Sequence, residues 1–536
     1  MVRVIDSTMW LLDFDDERGV VVRIRVLIAG GGPAGLAAAA ELALHGVEST
    51  VVEPRPSVAM DRPRAKTTSV RTMEHFRRWG VVDEIRAAAA LTPQWSDRVV
   101  FCSTVTGDVL TTFSNVFGLG PETLLVSPEY GQQIPQPVVE RVLREHLARS
   151  PLVTMVYGSS VIALTETADG VTATVSTADG HESTIHAEYL LGCDGASGAV
   201  RKAIGVRYAG SSDPRPNFNV LFRTDELHPP MGDAVHYWVV GGGSPCVIGR
   251  LDLAGTWWLI APGVDSADGS ARIPQMITDL VGHPIAHEVV STDSWTARLL
   301  VAERFQTSRV FLVGESAHLN PPWGGHGYNT SVGDSVNIGW KLAAVLQGWA
   351  APGLLDSYET ERRPVAEQTI AIARENMRSL PLDFAAETDT AVLAEAIQTS
   401  KDSEFHSLGL VLGYRYSSEG SPDPVHYTPS TDPGARLPHA RYRDGRSLFD
   451  ALGPEYTLIA PAGDDVEPVR RQAAGLGLPL TVITPPEDYP WGDQALLVRP
   501  DQHVDLRAAS ATDIDLRDAL AVRAGRTEAR AEAVRA

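Results

Sequence analysis

The sequence predicts an α/β protein built around a Rossmann-like nucleotide-binding domain. Two glycine-rich segments support this prediction, VLIAGGGPAGLAAAAEL near the start of the chain and a second one at residues 311–342. Each reads as a strand, a glycine-rich loop and the start of a helix, an arrangement that exposes backbone N–H groups to phosphate. Because the two segments lie far apart in the chain, they indicate one long cofactor that is bound at both ends. We expect this cofactor to be FAD.

The first loop follows an apolar strand and precedes an alanine-rich helix, which is the setting that the G-x-G-x-x-G pattern requires. In this pattern Gly30 permits the tight turn, Gly32 lets the backbone approach the pyrophosphate, and Gly35 lets the helix and strand pack closely. The helix N-terminus adds free N–H groups and partial positive charge. The predicted pyrophosphate-binding residues are Gly30, Gly32, Pro33, Ala34 and Gly35.

The next strand, STVVE, ends in Glu53. A carboxylate at this position can accept hydrogen bonds from the hydroxyls of the adenosine ribose. It would repel the 2′-phosphate of NADP, so we do not expect NADP to occupy this site.

The size and charge of the chain limit the classes of protein to which it can belong. Its 536 residues, 43% of them hydrophobic, are typical of a globular protein of two or three domains. The net charge of −21 disfavours nucleic acid and anionic membranes as partners, and no apolar run reaches the ~18–20 residues of a membrane span. Cys102, Cys193 and Cys246 form neither a metal-binding pattern nor a disulfide framework. We therefore expect a cytoplasmic protein that binds no metal.

Residues 1–23 do not resemble an export signal. They carry acidic residues where such a signal needs an unbroken apolar stretch and a small-residue cleavage site. We expect them to form an extension outside the fold.

Three motifs follow one another along the chain, GGGPAG, CDGASGAVRKAIG and VGESAHLNPPWGGHGYN. The segments PRAKTTSVRTMEHFRRWGV, IPQPVVERVLREHL and LLDSYETERRPVAEQ accompany them. With these motifs, residues 24–380 resemble the class A FAD-dependent aromatic hydroxylases, which have the p-hydroxybenzoate hydroxylase fold. The resemblance is greatest to the branch of 2,4-dichlorophenol 6-monooxygenases, phenol hydroxylases and polyketide hydroxylases.

This resemblance implies further contacts to the cofactor. Arg64 would approach the pyrophosphate, where a permanently charged guanidinium suits phosphate oxygens. Gln136 would hydrogen-bond the ribityl or phosphate region, and Asp194 would lie near the pyrophosphate and the nicotinamide-binding surface. The Gly-Asp pair of the family is Gly314-Glu315 here. Glu315 keeps the carboxylate that contacts the ribityl chain, on a side chain one methylene longer.

The resemblance also places the loop before the last long helix against the flavin ring. The Pro322 carbonyl would orient a substrate hydroxyl, and Asn329 would cap the helix, whose dipole stabilises negative charge on reduced flavin. His318 would brace the loop, whereas His326 receives no role. The residues predicted to contact the flavin here are Pro322, Gly325, Gly327, Tyr328 and Asn329.

The chemistry implied by the resemblance is aromatic hydroxylation. As the resemblance implies, NADPH or NADH would reduce the flavin, O2 would then give a C4a-hydroperoxide, and its distal oxygen would be transferred to an electron-rich ring. Ionising a phenol makes the attacked carbon more nucleophilic, and His236 is the candidate catalytic base. The chain has no second nucleotide-binding pattern, which fits a family in which the pyridine nucleotide docks transiently.

A substrate-binding sheet is predicted for residues 206–295, where strands of alternating polarity carry aromatic side chains. Tyr237, Arg250 and Trp257 are the candidates for the wall that contacts the substrate ring. The same three residues would equally suit ordinary packing within a sheet.

The C-terminal third resembles the thioredoxin-like domain that is appended to phenol and polyketide hydroxylases. No cysteine follows Cys246, so thiol–disulfide exchange is excluded there, and we expect a structural or oligomerisation role in a homo-oligomer. The predicted domains are 1–23 (extension), 24–205 (FAD-binding domain, first part), 206–295 (antiparallel substrate-binding sheet), 296–380 (FAD-binding domain, second part), 381–434 (linker) and 435–536 (thioredoxin-like domain without cysteines).

Other functions remain compatible with parts of the sequence. A flavin epoxidase would use the same fold, and a non-oxygenating scaffold would bind flavin alone. An NAD dehydrogenase would leave the second glycine-rich segment without a role. The leading prediction is an FAD-dependent monooxygenase with a phenol, O2 and NAD(P)H as its small-molecule partners, in either phenol breakdown or natural-product biosynthesis.

Overall fold

The computed structural model describes residues 4–5, 23–241, 243–379, 384, 389–416 and 422–517. Within these ranges the strands form two eight-stranded sheets, a four-stranded sheet and a two-stranded pair. The strands are β1 Val4–Ile5, β2 Arg23–Ala29, β3 Ser49–Glu53, β4 Thr67–Thr68, β5 Val99–Cys102, β6 Val109–Phe113, β7 Gln132–Gln133, β8 Val153–Tyr157, β9 Ser159–Thr167, β10 Gly170–Thr177, β11 Glu182–Gly192, β12 Tyr208–Arg223, β13 His236–Val239, β14 Cys246–Arg250, β15 Thr256–Pro262, β16 Glu288–Ala302, β17 Val310–Leu312, β18 His318–Leu319, β19 Tyr456–Ile459, β20 Leu480–Ile483, β21 Ala495–Val498 and β22 Val504–Ala508.

Helices connect these strands and cover the sheets. In the described part of the chain, none of them is long and apolar enough to cross a membrane. The α-helices are α1 Pro33–Leu44, α2 Val70–Arg78, α3 Val82–Ala88, α4 Gln136–Leu147, α5 Ala199–Ala203, α6 Ser266–Val281, α7 His326–Gln347, α8 Ser357–Asn376, α9 Thr390–Phe405, α10 Leu408–Gly413, α11 Leu448–Ala451 and α12 Glu467–Leu476.

The first sheet confirms the predicted α/β class. Its strands follow the order β1-β8-β3-β2-β11-β10-β9, and β17 also pairs with β11. The pairs β1–β8, β8–β3, β3–β2, β2–β11 and β11–β17 are parallel. The pairs β11–β10 and β10–β9 are antiparallel. The carboxyl ends of β2, β3, β11 and β17 therefore meet at one edge, which is where ligands bind in sheets of this kind.

Helix α7 packs closely on α1 because small residues line the contact. An added Cβ on Gly339 would lie only 2.7 Å from Cγ of Glu41, and Ser335 Oγ donates a hydrogen bond to the Ala34 carbonyl at 2.8 Å. An added Cβ on Gly314 would lie 3.1 Å from the Cβ of Ala34. The two glycine-rich segments of the sequence are thus neighbours in the fold.

The second sheet has the strand order β18-β16-β12-β15-β14-β13-β5-β6. Its neighbouring strands are antiparallel except for the parallel pair of β5 and β13. The sheet extends beyond the predicted range of 206–295, because β5, β6 and β18 come from elsewhere in the chain. These strands satisfy backbone groups at the edges of β13 and β16 that would otherwise be buried without partners.

The C-terminal sheet has the order β20-β19-β21-β22, with β19 and β20 parallel and joined by α12. This unit is compatible with the predicted thioredoxin-like domain, although residues 518–536 lie outside the described ranges. The predicted linker, residues 381–434, contains two helices instead, α9 and α10. They form because their apolar side chains are buried; the ring of Phe405, for example, lies 4.9 Å from that of Phe113.

Part of the predicted N-terminal extension belongs to the first sheet. Strand β1 pairs in parallel with β8, so that Val4 lies opposite Met155 and Ile5 opposite Val156. The prediction of an extension outside the fold is therefore wrong for these two residues and for Arg23, which is the first residue of β2. The remaining positions up to residue 22 lie outside the described ranges.

Buried ion pairs join the C-terminal sheet to the nucleotide-binding domain. Arg499 donates to both carboxylate oxygens of Glu361, each at 2.9 Å, and Lys341 donates to the same carboxylate at 2.7 Å. Arg436 forms a second buried pair with Glu74. Removing one partner of a buried pair leaves an uncompensated charge, so the two units depend on each other for stability.

His45 makes a further contact between these units. Its Nε2 lies 3.2 Å from Oε1 of Glu41, and its Nδ1 lies 2.9 Å from Oε1 of Glu455. Burial alone would lower the pKa of His45, but its hydrogen bonds to Glu41 and Glu455 outweigh burial and raise the pKa from 6.5 to about 9. His45 is therefore protonated in the folded protein at neutral pH.

We expect a pH-dependent loss of stability from this histidine. Because folding raises the pKa of His45, its stabilising contribution is complete below pH 6.5 and is lost as the pH rises through about 9. Urea denaturation at a series of pH values should show the free energy of unfolding falling by a few kcal/mol across that range. The variant His45→Gln should lack this component, and an unchanged pH dependence in the variant would contradict the assignment.

Candidate active site

A cavity of about 840 Å³ lies between the carboxyl edge of the first sheet and one face of the second sheet. Its volume is within the ~300–1,000 Å³ that is typical of small-molecule sites. Both glycine-rich segments line it at one end, and aromatic side chains line it at the other. The predicted site residues that line it are Gly30, Gly32, Pro33, Ala34, Glu53, Arg64, Gln136, Asp194, His236, Glu315, Pro322, Gly325, Gly327 and Tyr328.

The first glycine loop is closely packed on one side and open on the other. Gly30 has a φ of 101°, and an added Cβ would lie 2.3 Å from the Cys193 carbonyl oxygen. An added Cβ on Gly35 would lie 1.9 Å from the Gly30 carbonyl oxygen, whereas one on Gly32 would meet nothing within 4 Å. Gly30 and Gly35 are thus required by the fold, and Gly32 leaves space for a ligand.

Glu53 stands beside this loop at the end of β3. Its Oε2 accepts a hydrogen bond from the Gly31 N–H at 2.6 Å, and its Oε1 accepts one from Nε of Arg55 at 2.7 Å. Each carboxylate oxygen can accept more than one hydrogen bond, so Glu53 can also accept bonds from ribose hydroxyls. Arg55, two residues after Glu53, also lines the cavity and was not among the predicted site residues.

Glu315 lies beside the turn at Asp194-Gly195, although the two segments are distant in the chain. An added Cβ on Gly195 would lie 3.9 Å from Oε2 of Glu315. Asp194 Oδ2 accepts a hydrogen bond from the Val200 N–H at 2.9 Å, and its buried Oδ1 has no hydrogen-bond partner among the described residues. Burial raises the pKa of Asp194, against the lowering effect of backbone hydrogen bonds.

The turn that carries Glu315 is anchored by Asp334 of α7. Asp334 Oδ2 accepts a hydrogen bond from the Gly314 N–H at 3.2 Å and lies 2.7 Å from Nε2 of His318, while Oδ1 accepts one from Nε of Arg362 at 2.8 Å. Burial would raise the pKa of Asp334, but the Arg362 guanidinium and His318 outweigh it and lower the pKa. These contacts agree with the predicted bracing role of His318.

Arg64 and Gln136 both reach the cavity. Arg64 is exposed and has a φ of 48°, which is uncommon for a residue other than glycine. Gln136 is the first residue of α4, and its Nε2 donates a hydrogen bond to Glu140 at 2.9 Å. Both side chains have polar nitrogen atoms that can reach phosphate or hydroxyl groups of a ligand.

The proline-rich loop forms a tight turn immediately before α7. The Gly325 N–H donates a hydrogen bond to the Pro322 carbonyl at 3.0 Å, so this carbonyl already has one partner within its own turn. Gly324 and Gly325 have φ values of 90° and 70°, in the left-handed region that favours glycine.

Helix α7 begins at His326, one turn earlier than the predicted start at Asn329, because the left-handed Gly325 serves as the N-cap. Asn329 is therefore not a helix cap, and it does not line the cavity. Its Oδ1 accepts hydrogen bonds from the Ser69 N–H and the Thr72 hydroxyl, each at 2.8 Å. No side chain of the described residues caps this N-terminus, so its first N–H groups remain available to a ligand.

The other end of the cavity is aromatic. The rings of Trp238 and Trp323 lie 5.8 Å apart, and Trp258 meets His236 edge-on at 5.1 Å. Phe117 lies 5.6 Å from His236. All five side chains line the cavity, and such a wall suits an aromatic ligand.

Tyr237, Arg250 and Trp257, the predicted substrate contacts, do not line the cavity. Tyr237 and Trp257 are buried on the opposite face of the second sheet, in the apolar core that includes α6, and Arg250 lies over the Trp257 ring at 4.2 Å. Successive side chains of a strand lie on opposite faces of the sheet. Tyr237 and Trp257 are therefore each next to a residue that does face the cavity. Trp238 and Trp258 occupy the cavity face instead.

Two nitrogen bases accompany the aromatic wall. Burial, reinforced by the nearby Lys66 ammonium, lowers the pKa of His236 to about 3, so its imidazole is neutral at physiological pH. Burial also lowers the pKa of Lys66, to about 8. Lys66 was not among the site residues predicted from the sequence. Its position two residues after Arg64, in the same segment, is the signal that could have identified it.

The residues present fit FAD at three points. The space at Gly32 can hold a pyrophosphate, and the uncapped N-terminus of α7 can face a ring that carries negative charge. Between them, Asp194 Oδ1 and Asn320 Nδ2 are buried polar atoms without hydrogen-bond partners among the described residues. A ligand with phosphates at one end, hydroxyls in the middle and a flat ring at the other end would satisfy all three.

Comparisons with known proteins agree with this fit. Residues 23–373 match the family described as FAD binding domain. Residues 430–527 match the family described as aromatic-ring hydroxylase, C-terminal. The two matches together cover most of the chain.

Individual relatives are similar over nearly their whole length. The 2,4-dichlorophenol 6-monooxygenase of Delftia acidovorans is 31% identical over 570 residues, covering 92% of this chain and 96% of the relative. The putative polyketide hydroxylase of Streptomyces halstedii is 31% identical over 92% of this chain and 95% of its own length.

Solved structures share the fold. Aklavinone-11 hydroxylase, in its ternary complex with FAD and aklavinone, has a TM-score of 0.81 at 29% identity, covering 94% of this chain and 98% of that chain. The flavin-dependent monooxygenase PieE, in complex with FAD and substrate, has a TM-score of 0.82 at 28% identity, covering 94% and 99%.

Proposed function

Because this chain belongs to the family of FAD-dependent aromatic-ring hydroxylases, we propose that its cavity holds FAD and a phenolic substrate together. The enzyme is a monooxygenase that uses NAD(P)H and O2 to hydroxylate an electron-rich aromatic ring. One observation supports the location of the reaction above all, namely that a single cavity joins the phosphate-type loops to the aromatic wall.

When bound, FAD supplies the redox chemistry, taking electrons from NAD(P)H and activating O2 for transfer of one oxygen atom. The residues of this chain bind and orient it. We assign the pyrophosphate to the first glycine loop and Arg64, and the adenosine ribose to Glu53. The residues assigned to the ribityl and phosphate region are Gln136, Asp194, Gly314 and Glu315, and those assigned to the flavin ring are Pro322, Gly325, Gly327, Tyr328 and the backbone of Asn329.

The substrate ring is assigned to the aromatic wall of Trp238, Trp258 and Trp323. Trp238 and Trp323 are almost fully buried apart from the surface that they give to the cavity. Apolar walls exclude water, and this protects reactive intermediates of the reaction from being lost to side reactions with water. The Pro322 carbonyl can accept a hydrogen bond from the hydroxyl of a neutral phenol with its second lone pair, because Gly325 uses only one.

His236 is assigned to orient the phenol rather than to deprotonate it. An imidazole with a pKa of about 3 holds an extra proton poorly, but its neutral ring has one N–H that can donate a hydrogen bond to the substrate oxygen. The variant His236→Phe keeps the ring contacts and removes the N–H donor, so KM should rise by about 2–10-fold, the effect of one hydrogen bond. The pH profile of kcat above pH 5 should keep its shape. A fall in kcat of about 100-fold or more would instead identify His236 as the catalytic base.

The function itself is tested with the purified, FAD-loaded enzyme and a panel of phenols that includes 2,4-dichlorophenol and larger polycyclic phenols. We expect at least one of them to stimulate NAD(P)H oxidation and to gain one oxygen atom from isotopically labelled O2. Flavin binding without stimulated oxidation by any phenol would favour the non-oxygenating scaffold. An epoxide formed from an alkene substrate would favour the flavin epoxidase.

We further propose that the enzyme acts in the cytoplasm as a homo-oligomer without a nucleic-acid partner. The net charge of −21 supports the absence of a nucleic-acid partner. Cys102, Cys193 and Cys246 are buried free thiols, as suits a reducing compartment. Light scattering after size-exclusion chromatography measures the number of subunits, and a monomer would contradict the oligomer.

A further inference from the structure

We propose that Lys66 determines the ionisation state of the substrate, by binding the oxygen of a phenolate whose ring lies against the tryptophan wall. This inference rests on the proposed function and narrows its substrate class to phenols that ionise once they are bound. It assigns recognition of the negatively charged phenolate oxygen to Lys66, which lies in neither glycine-rich segment.

The position of Lys66 is defined by the residues around it. It precedes β4, which pairs with β7, and the Thr67 carbonyl accepts a hydrogen bond from Asn329 Nδ2 at 3.2 Å. Its Nζ lies 4.1 Å from the centre of the Trp258 ring, in a cation–π contact. Lys66 therefore lies where the start of α7 approaches the aromatic wall, within the same cavity.

Lys66 has no acidic partner among the described residues. The second lysine of this region, Lys401, provides a contrast: its Nζ lies 4.4 Å from the Trp238 ring, and it pairs with Glu404 at 2.6 Å. Both residues of that pair are buried, so their charges compensate each other. The charge on Lys66 faces the cavity without such compensation. An anionic ligand would supply the compensating negative charge.

The other titratable groups nearby do not remove this positive field. His236 is neutral, because burial and the Lys66 charge lower its pKa to about 3. Glu404 lines the cavity but is engaged with Lys401, and burial raises its pKa. A phenol hydroxyl beside Lys66 therefore experiences a net positive environment.

The consequence for a bound phenol follows from electrostatics. An opposite charge within ~4–6 Å lowers the pKa of an acid by about 1–3 units. The O–H bond breaks, the proton goes to solvent, and the electron pair stays on the oxygen as phenolate. The neutral His236 ring does not retain this proton, but its N–H can donate a hydrogen bond to the phenolate oxygen. The charge of the phenolate raises the electron density of the ring carbon that is to be hydroxylated.

The test uses the FAD-loaded enzyme at equilibrium, without NAD(P)H, and 4-nitrophenol as the probe. Difference absorption spectra distinguish bound nitrophenol from bound nitrophenolate at each pH. In the wild type we expect the apparent pKa of the bound probe to lie about 1–3 units below that of the free probe. Lys66→Met should abolish this shift or reverse its sign, and Lys66→Arg should retain it.

A matched control is Lys202→Met, which makes the same change at an exposed lysine outside the cavity. It should bind the probe as the wild type does. If Lys66→Met fails to retain flavin, the wild type alone still tests the proposal. Its affinities for 4-nitrophenol and for 4-nitroanisole are then measured across the pH range. Only the phenol should bind more tightly as it ionises.

Three results would overturn the proposal. They are a wild type that does not bind nitrophenolate, an unshifted probe pKa in the wild type, and an equal shift in Lys66→Met with its flavin bound. None of these depends on turnover. They are therefore distinguishable from a failure of the proposed hydroxylation, which is measured by stimulated NAD(P)H oxidation.

Discussion

Gly35→Ala is expected to yield an enzyme that is purified without flavin and unfolds at markedly lower denaturant concentration. The new Cβ would lie 1.9 Å from the Gly30 carbonyl oxygen, a backbone atom that cannot move without displacing the whole loop. Overpacking of this kind costs about 1–3 kcal/mol, and more where backbone must move. Urea denaturation measures the stability, and fluorescence titration with FAD measures the affinity.

Two glycine variants serve as controls for this result. Gly32→Ala places its Cβ in open space, so it should fold like the wild type but bind FAD more weakly, by about tenfold for each 1.4 kcal/mol lost. Gly475→Ala, on the exposed face of α12, should stabilise the protein by a fraction of a kcal/mol. Normal stability and normal flavin content in Gly35→Ala would refute the role assigned to this glycine.

Arg499→Met is expected to destabilise the protein by about 3–5 kcal/mol, the cost of breaking a buried ion pair from one side. The Arg499 guanidinium is fully buried and contacts Glu361 and Asp501, the latter at 2.6 Å. Methionine fills part of the space but leaves both carboxylates without this partner in a low-dielectric environment. Thermal and urea denaturation of the FAD-loaded enzyme measure the loss.

The pairing partner tests whether charge, rather than packing, causes this loss. Adding Asp501→Asn to Arg499→Met should recover part of the stability, because it removes the buried charge that has lost Arg499, whereas Glu361 keeps Lys341 as a partner. Arg470→Met changes an exposed arginine of α12 that lies 3.7 Å from Glu467, and its unfolding midpoint should match that of the wild type. A loss as large in Arg470→Met as in Arg499→Met would show that buried charge is not the cause.

The same ion pairs bear on the predicted structural role of the C-terminal domain. Deleting residues 435–536 would remove Arg436 and Arg499 and leave Glu74 and Glu361 without these partners. We expect the truncated chain to be insoluble or to lose its flavin. A truncated enzyme with normal folding, assembly and turnover would overturn the structural role.

Local patterns were sufficient to predict the strands, glycine-rich loops and helices that form one end of the cavity. The motif around Gly30 and Gly35 is contiguous, and its backbone geometry depends on the absence of Cβ atoms within a few residues. Glu53 could be placed because the end of a strand is marked by the sequence itself. The same applies to Gly314 and Glu315, where a strand and a turn follow directly in the chain.

Predictions that depended on which side of an element is buried were less successful. Both faces of the second sheet are covered by apolar residues, so hydrophobic side chains occur on both faces of its strands. The pattern of polarity therefore cannot show whether Trp257 or Trp258 faces the cavity. The start of α7 was misplaced because a left-handed Gly325 replaces the side-chain cap that Asn329 was expected to provide. The helices of the predicted linker pack against side chains from distant parts of the chain, such as Phe113.

The sequence by itself determined that this protein has a Rossmann-like FAD-binding domain and the motifs of an aromatic-ring hydroxylase, because those features are encoded by residues that are close together in the chain. Only the tertiary structure decided which aromatic side chains face the cavity, which buried charges are compensated, and that Lys66 stands without an acidic partner among the described residues beside Trp258. The physical reason is that burial and electrostatic compensation are properties of neighbours in space. In this fold those neighbours come from separate segments of the chain.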